Sequence, residues 1–315
     1  MIGTGSIDGV PVLSLGSEEE GGIEAAFAPG AGMVCPSIRH GGEQVLGQRN
    51  GLGAYVGSRS TMGIPLLYPW ANRLARSRFE LAGRDVDVAL AQPPPKLDGN
   101  GLPIHGLLGA AGGWSVLRHA ARDDGGELSA RFELEPVGPL TAGFPFPHRL
   151  ELTATVVGRT LSVRTRVEAD RGSPVPIAFG FHPYLALPGV RRAEWRLRAP
   201  LATRLALDPQ GLPTGERSPV EPLDGPLGEA TYDDAYLAPA GGQPFELSGG
   251  GRRISVAFGA GYDYAQLYAP PGDELIAIEP MTAPANALID GGEGLRVIEA
   301  GAHFEAEFAI TVNDD

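Results

Sequence analysis

Cysteine is almost missing from this chain. Cys35 is the only one in 315 residues, so no intrachain disulfide can form and no cysteine-rich metal site is available. Lysine is equally scarce: Lys96 stands alone, and arginine carries nearly all the positive charge. The balance is acidic, 25 Lys+Arg against 38 Asp+Glu for a formal net charge of −13. That argues against the basic face that phosphate-backbone binding requires, so nucleic acid is not an expected partner. No apolar stretch approaches the length of a membrane span. The first residues lack the basic segment and apolar run of a secretion signal. A cytoplasmic protein with no membrane partner is the expectation.

Other absences narrow the chemistry. There is no phosphate-binding loop of the Walker type and no G-x-S-x-G nucleophile elbow. Gly51-Leu-Gly53-Ala-Tyr-Val-Gly57 approximates a dinucleotide fingerprint but has no βαβ context, and it reads as a turn. The six histidines (40, 105, 119, 148, 182 and 303) form no close pair of the H-x-H or H-x₃-H kind, so no metal and no other cofactor is expected. Helical periodicity is missing too, with no convincing run of ten or more residues.

What the chain has in quantity is glycine (46) and proline (29), set among evenly spread apolar residues. That combination indicates tight turns between short strands. Leu150, Leu152, Ala154 and Val156 alternate with Glu151, Thr153 and Thr155. After Gly158-Arg159, Leu161, Val163, Thr165 and Val167 alternate with Ser162, Arg164, Arg166 and Glu168. Two period-two runs about a glycine turn predict a β-hairpin. Phe304, Ala306, Phe308, Ile310 and Val312 repeat the pattern at the C-terminus. Further strands are expected at Trp114–Ala120, Glu127–Leu134, Phe245–Leu247, Ile254–Phe258 and Leu275–Ile278. Gln92–Gly101 and Asp208–Glu229 read as loops long enough to be functional. The fold class expected is all-β, one domain over residues 1–315, a sandwich or barrel.

Four segments place polar groups among strand and turn residues: Gly63–Leu74 (GIPLLYPWANRL), Pro103–Gly106 (PIHG), Phe179–Leu185 (FGFHPYL) and Glu279–Asn286 (EPMTAPAN). Tyr232–Leu237 (YDDAYL) is a fifth. In this order they resemble the aldose 1-epimerase (galactose mutarotase) family, from about residue 63 to the end. The resemblance implies a large antiparallel β-sandwich with its site in an open cleft. It implies a general acid at His182 of His182-Pro-Tyr184, a general base at Glu279, and a second histidine at His105. It implies sugar contacts from Asn72-Arg73, from Asp233 (Asp234 by one register), and from Tyr184 and Gln266 of Gln266-Leu-Tyr268. Leu107, Pro183, Leu185 and the Pro-Met-Thr after Glu279 depart from the family's pattern and leave the sugar open.

One acid and one base suit mutarotation: the base takes the C1 hydroxyl proton, the acid protonates the ring oxygen, and the ring closes again on either face. His105 would assist at the ring oxygen, Arg73 and Asp233 would hold hydroxyls, and Trp70 would stack on the sugar. From local sequence alone His182 reads more readily as a core histidine; Glu279 fits a strand-end surface residue, and equally a carboxylate placed at a site's rim. Two alternatives remain open. One is a hexose-6-phosphate 1-epimerase using an arginine cluster from Arg39, Arg59, Arg73, Arg76 and Arg78. The other is a non-catalytic sugar-binding protein. A glycoside hydrolase is weaker, because only one persuasive carboxylate is present. Oligomeric state is not readable.

Overall fold

The computed structural model describes residues 1–292 and 294–315. Its largest element is a nine-stranded antiparallel sheet. In spatial order the strands are Ser115–Arg122, Gly125–Leu134, His148–Val157, Thr160–Ala169, His303–Asp314, Arg252–Phe258, Phe245–Gly249, Arg196–Ala199 and Leu223–Pro226. The expected hairpin is there. Val157 pairs with Thr160 across Gly158-Arg159, and the register holds to His148 opposite Ala169. Leu150, Leu152, Ala154, Val156 and Leu161 are fully buried, so the period-two alternation does select the core face.

A second antiparallel sheet holds Pro213–Pro219, Thr203–Leu207, Tyr232–Leu237, Tyr264–Ala269, Ile276–Met281, Gly180–Phe181 and Leu66–Leu67, with Tyr184–Leu185 added beside Ile276–Met281. A third, five-stranded sheet is built from Ile2–Ile7, Val10–Gly16, Ile23–Ala28, Val34–His40 and Glu43–Gln44. One hydrophobic cluster draws on all three: Leu152, Val163 and Ile310 from the first, Leu267, Ile276 and Ile278 from the second, Leu15, Ile23 and Phe27 from the third. The result is the large antiparallel sandwich expected. Among the described residues no helix is long and apolar enough to cross a membrane.

Three local expectations are corrected. Asp208–Glu229 is not a plain loop; it contains Pro213–Pro219 and Leu223–Pro226, each the outermost strand of its sheet. Sheet edges tolerate the prolines, glycines and charges that hide a strand from pattern reading. Gly51–Ser58 is a short helix rather than a turn, with Leu52 and Tyr55, three residues apart, buried on one side. The last expected strand runs on past Ile278, as Ile276–Met281, so Glu279 lies inside it and not at a rim.

Candidate active site

Three neighbouring strands of the second sheet carry one polar face. Register sets Gln266 opposite Glu279, Tyr268 opposite Ala277, and Asp233 opposite Tyr268. Side chains alternate along a strand, so Asp233, Gln266, Tyr268 and Glu279 share a face, while Leu267, Ile276 and Ile278 turn to the core. The same alternation resolves the two aspartates. Asp233 accepts a hydrogen bond from Gln266 Nε2 at 2.8 Å and lines the cavity. Asp234 points the other way and pairs with Arg204.

The histidines arrive from the side. Gly180–Phe181 pairs with Leu66–Leu67, and the His182 amide donates to Pro65 O at 3.1 Å. Two residues on, Tyr184 pairs with Ala277. His182 and Tyr184 therefore lie on one side, their rings stacked with centroids 4.1 Å apart. Asn72-Arg73 and His105-Gly106 are brought together by backbone pairing: Arg73 bridges Ile104, and the His105 amide donates to Asn72 O at 3.0 Å. Asn72 and His105 both adopt positive φ, 53° and 63°. Gly106 (φ +74°) passes so close to Tyr68 that an added Cβ would lie 2.1 Å from its carbonyl oxygen. Gly106→Ala is expected to cost about 1–3 kcal/mol from the backbone conformation alone, with the clash added. Thermal denaturation checks this; a melting temperature equal to the parent's would refute it.

These pieces enclose a cavity of about 290 Å³, lined among others by Asn72, Arg73, Lys96, Asp98, His105, His182, Tyr184, Asp233, Tyr268 and Glu279. That is near the lower end of the range for small-molecule sites, about 300–1,000 Å³. At its floor His182 Nε2 lies 3.3 Å from Glu279 Oε1, both side chains almost wholly buried. Tyr184 Oη is 3.2 Å from the same nitrogen, within 2.7 Å of Thr61 Oγ1, and accepts from Arg49 at 3.2 Å. Beside this chain, Arg73 donates to Asp98 at 2.9 Å and stands 3.6 Å from Asp233. The rings of His105 and His182 meet edge to face at 5.6 Å.

Burial dominates the electrostatics. It drives His182 well below the usual imidazole range, with the neighbouring His105 and Arg49 adding to it. It drives Glu279 well above the carboxylate range, helped by the charge of Asp233 and opposed by Arg73. His105 is pushed down to about 3 by desolvation, Arg73 and Lys96. Asp98 goes the other way: burial raises it, but the Leu102 amide and Arg73 outweigh that and hold it low. Burial thus favours the uncharged forms of both groups, a neutral imidazole facing a protonated carboxyl. His182 Nδ1, His105 Nδ1 and Glu279 Oε2 have no hydrogen-bond partner among the described residues, and such buried exceptions gather at functional sites.

A family model described as aldose 1-epimerase matches residues 31–311. The chain belongs to the aldose 1-epimerase family. Its fold is that of a galactose mutarotase-like protein from Clostridium acetobutylicum (16% identity, TM-score 0.83, covering 100% of this chain and 99% of that one). It is similar to a GalM/aldose epimerase homologue from C. elegans (18%, 0.75, 99% of each chain). It is similar also to a galactose 1-epimerase from Lactobacillus acidophilus NCFM (14%, 0.78, 100% and 98%). Identities this low speak for the fold. No match is found among curated protein sequences.

Within this family frame, all eight residues singled out from sequence meet in one place. Seven line the cavity, and the eighth, Gln266, orients Asp233 from behind. Two secondary expectations fail. Trp70 is buried in the main core and does not line the cavity; Tyr184 and Tyr268 are its aromatic walls. Of the arginines Arg39, Arg59, Arg73, Arg76 and Arg78, only Arg73 lines the cavity; Arg39 donates to Gly42 O, Arg59 to Pro94 O and Arg76 to Arg78 O, and Arg78 pairs with Asp87. Sequence reasoning missed Arg49, Thr61, Lys96 and Asp98 as wall residues. The Gln92–Gly101 segment does serve the site, and its Asp98-Gly-Asn-Gly turn was the available signal: Asp98 Oδ1 accepts from the Asn100 and Leu102 amides at 2.8 and 2.9 Å.

Proposed function

We propose that the chain is an aldose 1-epimerase that interconverts α and β anomers by opening and closing the sugar ring, with His182 as acid and Glu279 as base. The observation that carries this reading is the 3.3 Å contact between His182 Nε2 and Glu279 Oε1 at the floor of a monosaccharide-sized cavity.

One shared proton suffices for the chemistry. With sugar hydroxyls hydrating the site, the pair takes its charged form, imidazolium and carboxylate. Glu279 removes the proton from O1 while His182 delivers one to the ring oxygen; the C1–ring oxygen bond breaks and C1=O1 forms. The open-chain aldehyde is left beside neutral His182 and protonated Glu279, the form that burial favours. Rotation about C1–C2 presents the other carbonyl face, and the protons return. Arg73 and Asp233, fixed by Asp98 and Gln266, hold hydroxyls, and His105 assists at the ring oxygen.

Polarimetry on freshly dissolved pure anomers tests this, over neutral aldoses and derivatives that keep a free C1 hydroxyl. Acceleration by the parent protein, lost by about 10²–10⁴-fold in His182→Asn, is the expected result. No acceleration across the panel ends the reading, and binding without acceleration would favour a sugar-binding protein.

A further inference from the structure

The segment Glu279–Asn286 gives the cavity one lining residue, Glu279, and ends on Asn286, which is buried and does not line it. Hydrogen bonds tie this segment to the rest of the site at two points. Thr282 is fully buried, and its amide and its hydroxyl both donate to Phe179 O, at 2.9 and 3.0 Å. The chain that carries the base is thereby fastened just ahead of His182. Asn286 makes the second tie, to the residues around Arg73. On one edge of that stretch the Leu74 amide donates to Pro103 O at 2.9 Å and Arg73 bridges Ile104, which holds the His105 loop. On the other edge the Asn286 amide donates to Arg73 O at 2.9 Å, and Asn286 Oδ1 accepts from the Ala75 amide at 2.8 Å.

Arg73 O and the Ala75 amide are the pair of groups that a strand presents to one residue of a parallel neighbour. Asn286 answers them with a backbone donor and a side-chain acceptor. Its own carbonyl is thus left to start the helix Ala287–Asp290, where it accepts from the Ile289 and Asp290 amides at 2.8 and 3.0 Å. The position demands a left-handed backbone (φ 64°) and an acceptor oxygen on the γ carbon, and asparagine supplies both. Resting on the epimerase reading of this cavity, we propose that Asn286 is a positioning residue, which fixes the backbone on both sides of Leu74 and so sets where the Arg73 guanidinium stands. The far end of that side chain is held by Asp98 at 2.9 Å and by Asp233 at 3.6 Å. With Asn286 fixing the near end, the guanidinium is set in place before the sugar arrives, and less ordering has to be met out of the binding energy.

Anomerisation kinetics test it, with α-D-glucose and α-D-galactose as first probes and then the panel sugar that the parent accelerates most, all below the melting transition of each variant. Asn286→Gly keeps the left-handed backbone and the amide donor and deletes only the acceptor. The expected result is a KM about tenfold higher with kcat changed less than about threefold, the pattern of lost binding common to substrate and transition state. In an Arg73→Ala background the same substitution is expected to change KM by less than about twofold, because no guanidinium remains to be placed. A general loosening of the fold would instead act equally in both backgrounds. Asn286→Asp tolerates the same φ and keeps an acceptor oxygen, so its KM is expected to stay within about threefold of the parent's. A parental KM in Asn286→Gly, an equal change with and without Arg73, or an Asn286→Asp variant that folds yet has the glycine variant's KM would overturn the proposal and leave the epimerase reading standing. No acceleration of any panel sugar by the parent would end both.

Discussion

Glu279→Gln is expected to lower kcat for anomerisation by about 10²–10⁴-fold, the range one general acid–base group supplies, with KM changed only a few-fold. It is also expected to leave the melting temperature equal to the parent's or higher. These two outcomes together make the experiment informative. Glu279 is 1% exposed, and burial favours its protonated form. Glutamine has the shape of that protonated carboxyl and cannot ionise, so the folded state loses nothing it was using. Ring opening does lose something, because only a carboxylate can receive the O1 proton. A structural carboxyl would give the opposite pattern, with stability falling and residual activity in proportion. Retention of more than about a tenth of parental kcat would place the base elsewhere in the cavity, whose other lining carboxylates are Asp98 and Asp233.

The fold was legible where one face of a strand is buried and the other wet. His148–Val157, Thr160–Ala169 and His303–Asp314 alternate because one side of each meets the core. The same logic fails at Pro213–Pro219, which is exposed on nearly every residue and carries no alternation to read. It fails also at Ile276–Met281, buried on both faces, where a continuous apolar run hides that Glu279 sits within it. Of the candidate site, the eight residues drawn from the ordered motifs were legible through their order along the chain, and they do meet in one place. Arg49, Thr61, Lys96 and Asp98 were not, because Lys96 opens the two-residue strand Lys96–Leu97, the others lie in loops, and only three-dimensional closure brings them to the cavity. Trp70 misled for a related reason: next to Asn72-Arg73 in sequence, it faces the opposite way and packs in the core.

Acid is expected to weaken the fold between about pH 6.5 and pH 4, a loss that begins well above the range where ordinary carboxylates titrate. His148 is fully buried, with Nδ1 against Phe146 O and Nε2 against the Tyr68 hydroxyl, and burial lowers it to about 4. Between those values the unfolded chain takes up a proton that the folded chain refuses. Stability therefore falls as pH falls, by about 1.4 kcal/mol per pH unit for one such group, and the loss is complete below the folded value. His105, lowered to about 3, adds up to the same again, and His40 shifts in the same direction. His182 would make a further contribution, yet its partner cancels it. Where burial raises Glu279 past the ordinary histidine value, the folded pair holds one proton, on Glu279. Unfolded, between the ordinary values of 4.5 and 6.5, it also holds one, on His182. No net proton is exchanged, so the pair adds no slope in that window. Glu279→Gln removes the compensation, and its stability, measured by urea unfolding from pH 4.5 to 7, is expected to fall more steeply than the parent's by about 1.4 kcal/mol per pH unit. Equal slopes would mean that the parental pair carries no proton in that range, and so lacks the one proton that must leave one partner and arrive on the other for the ring to open.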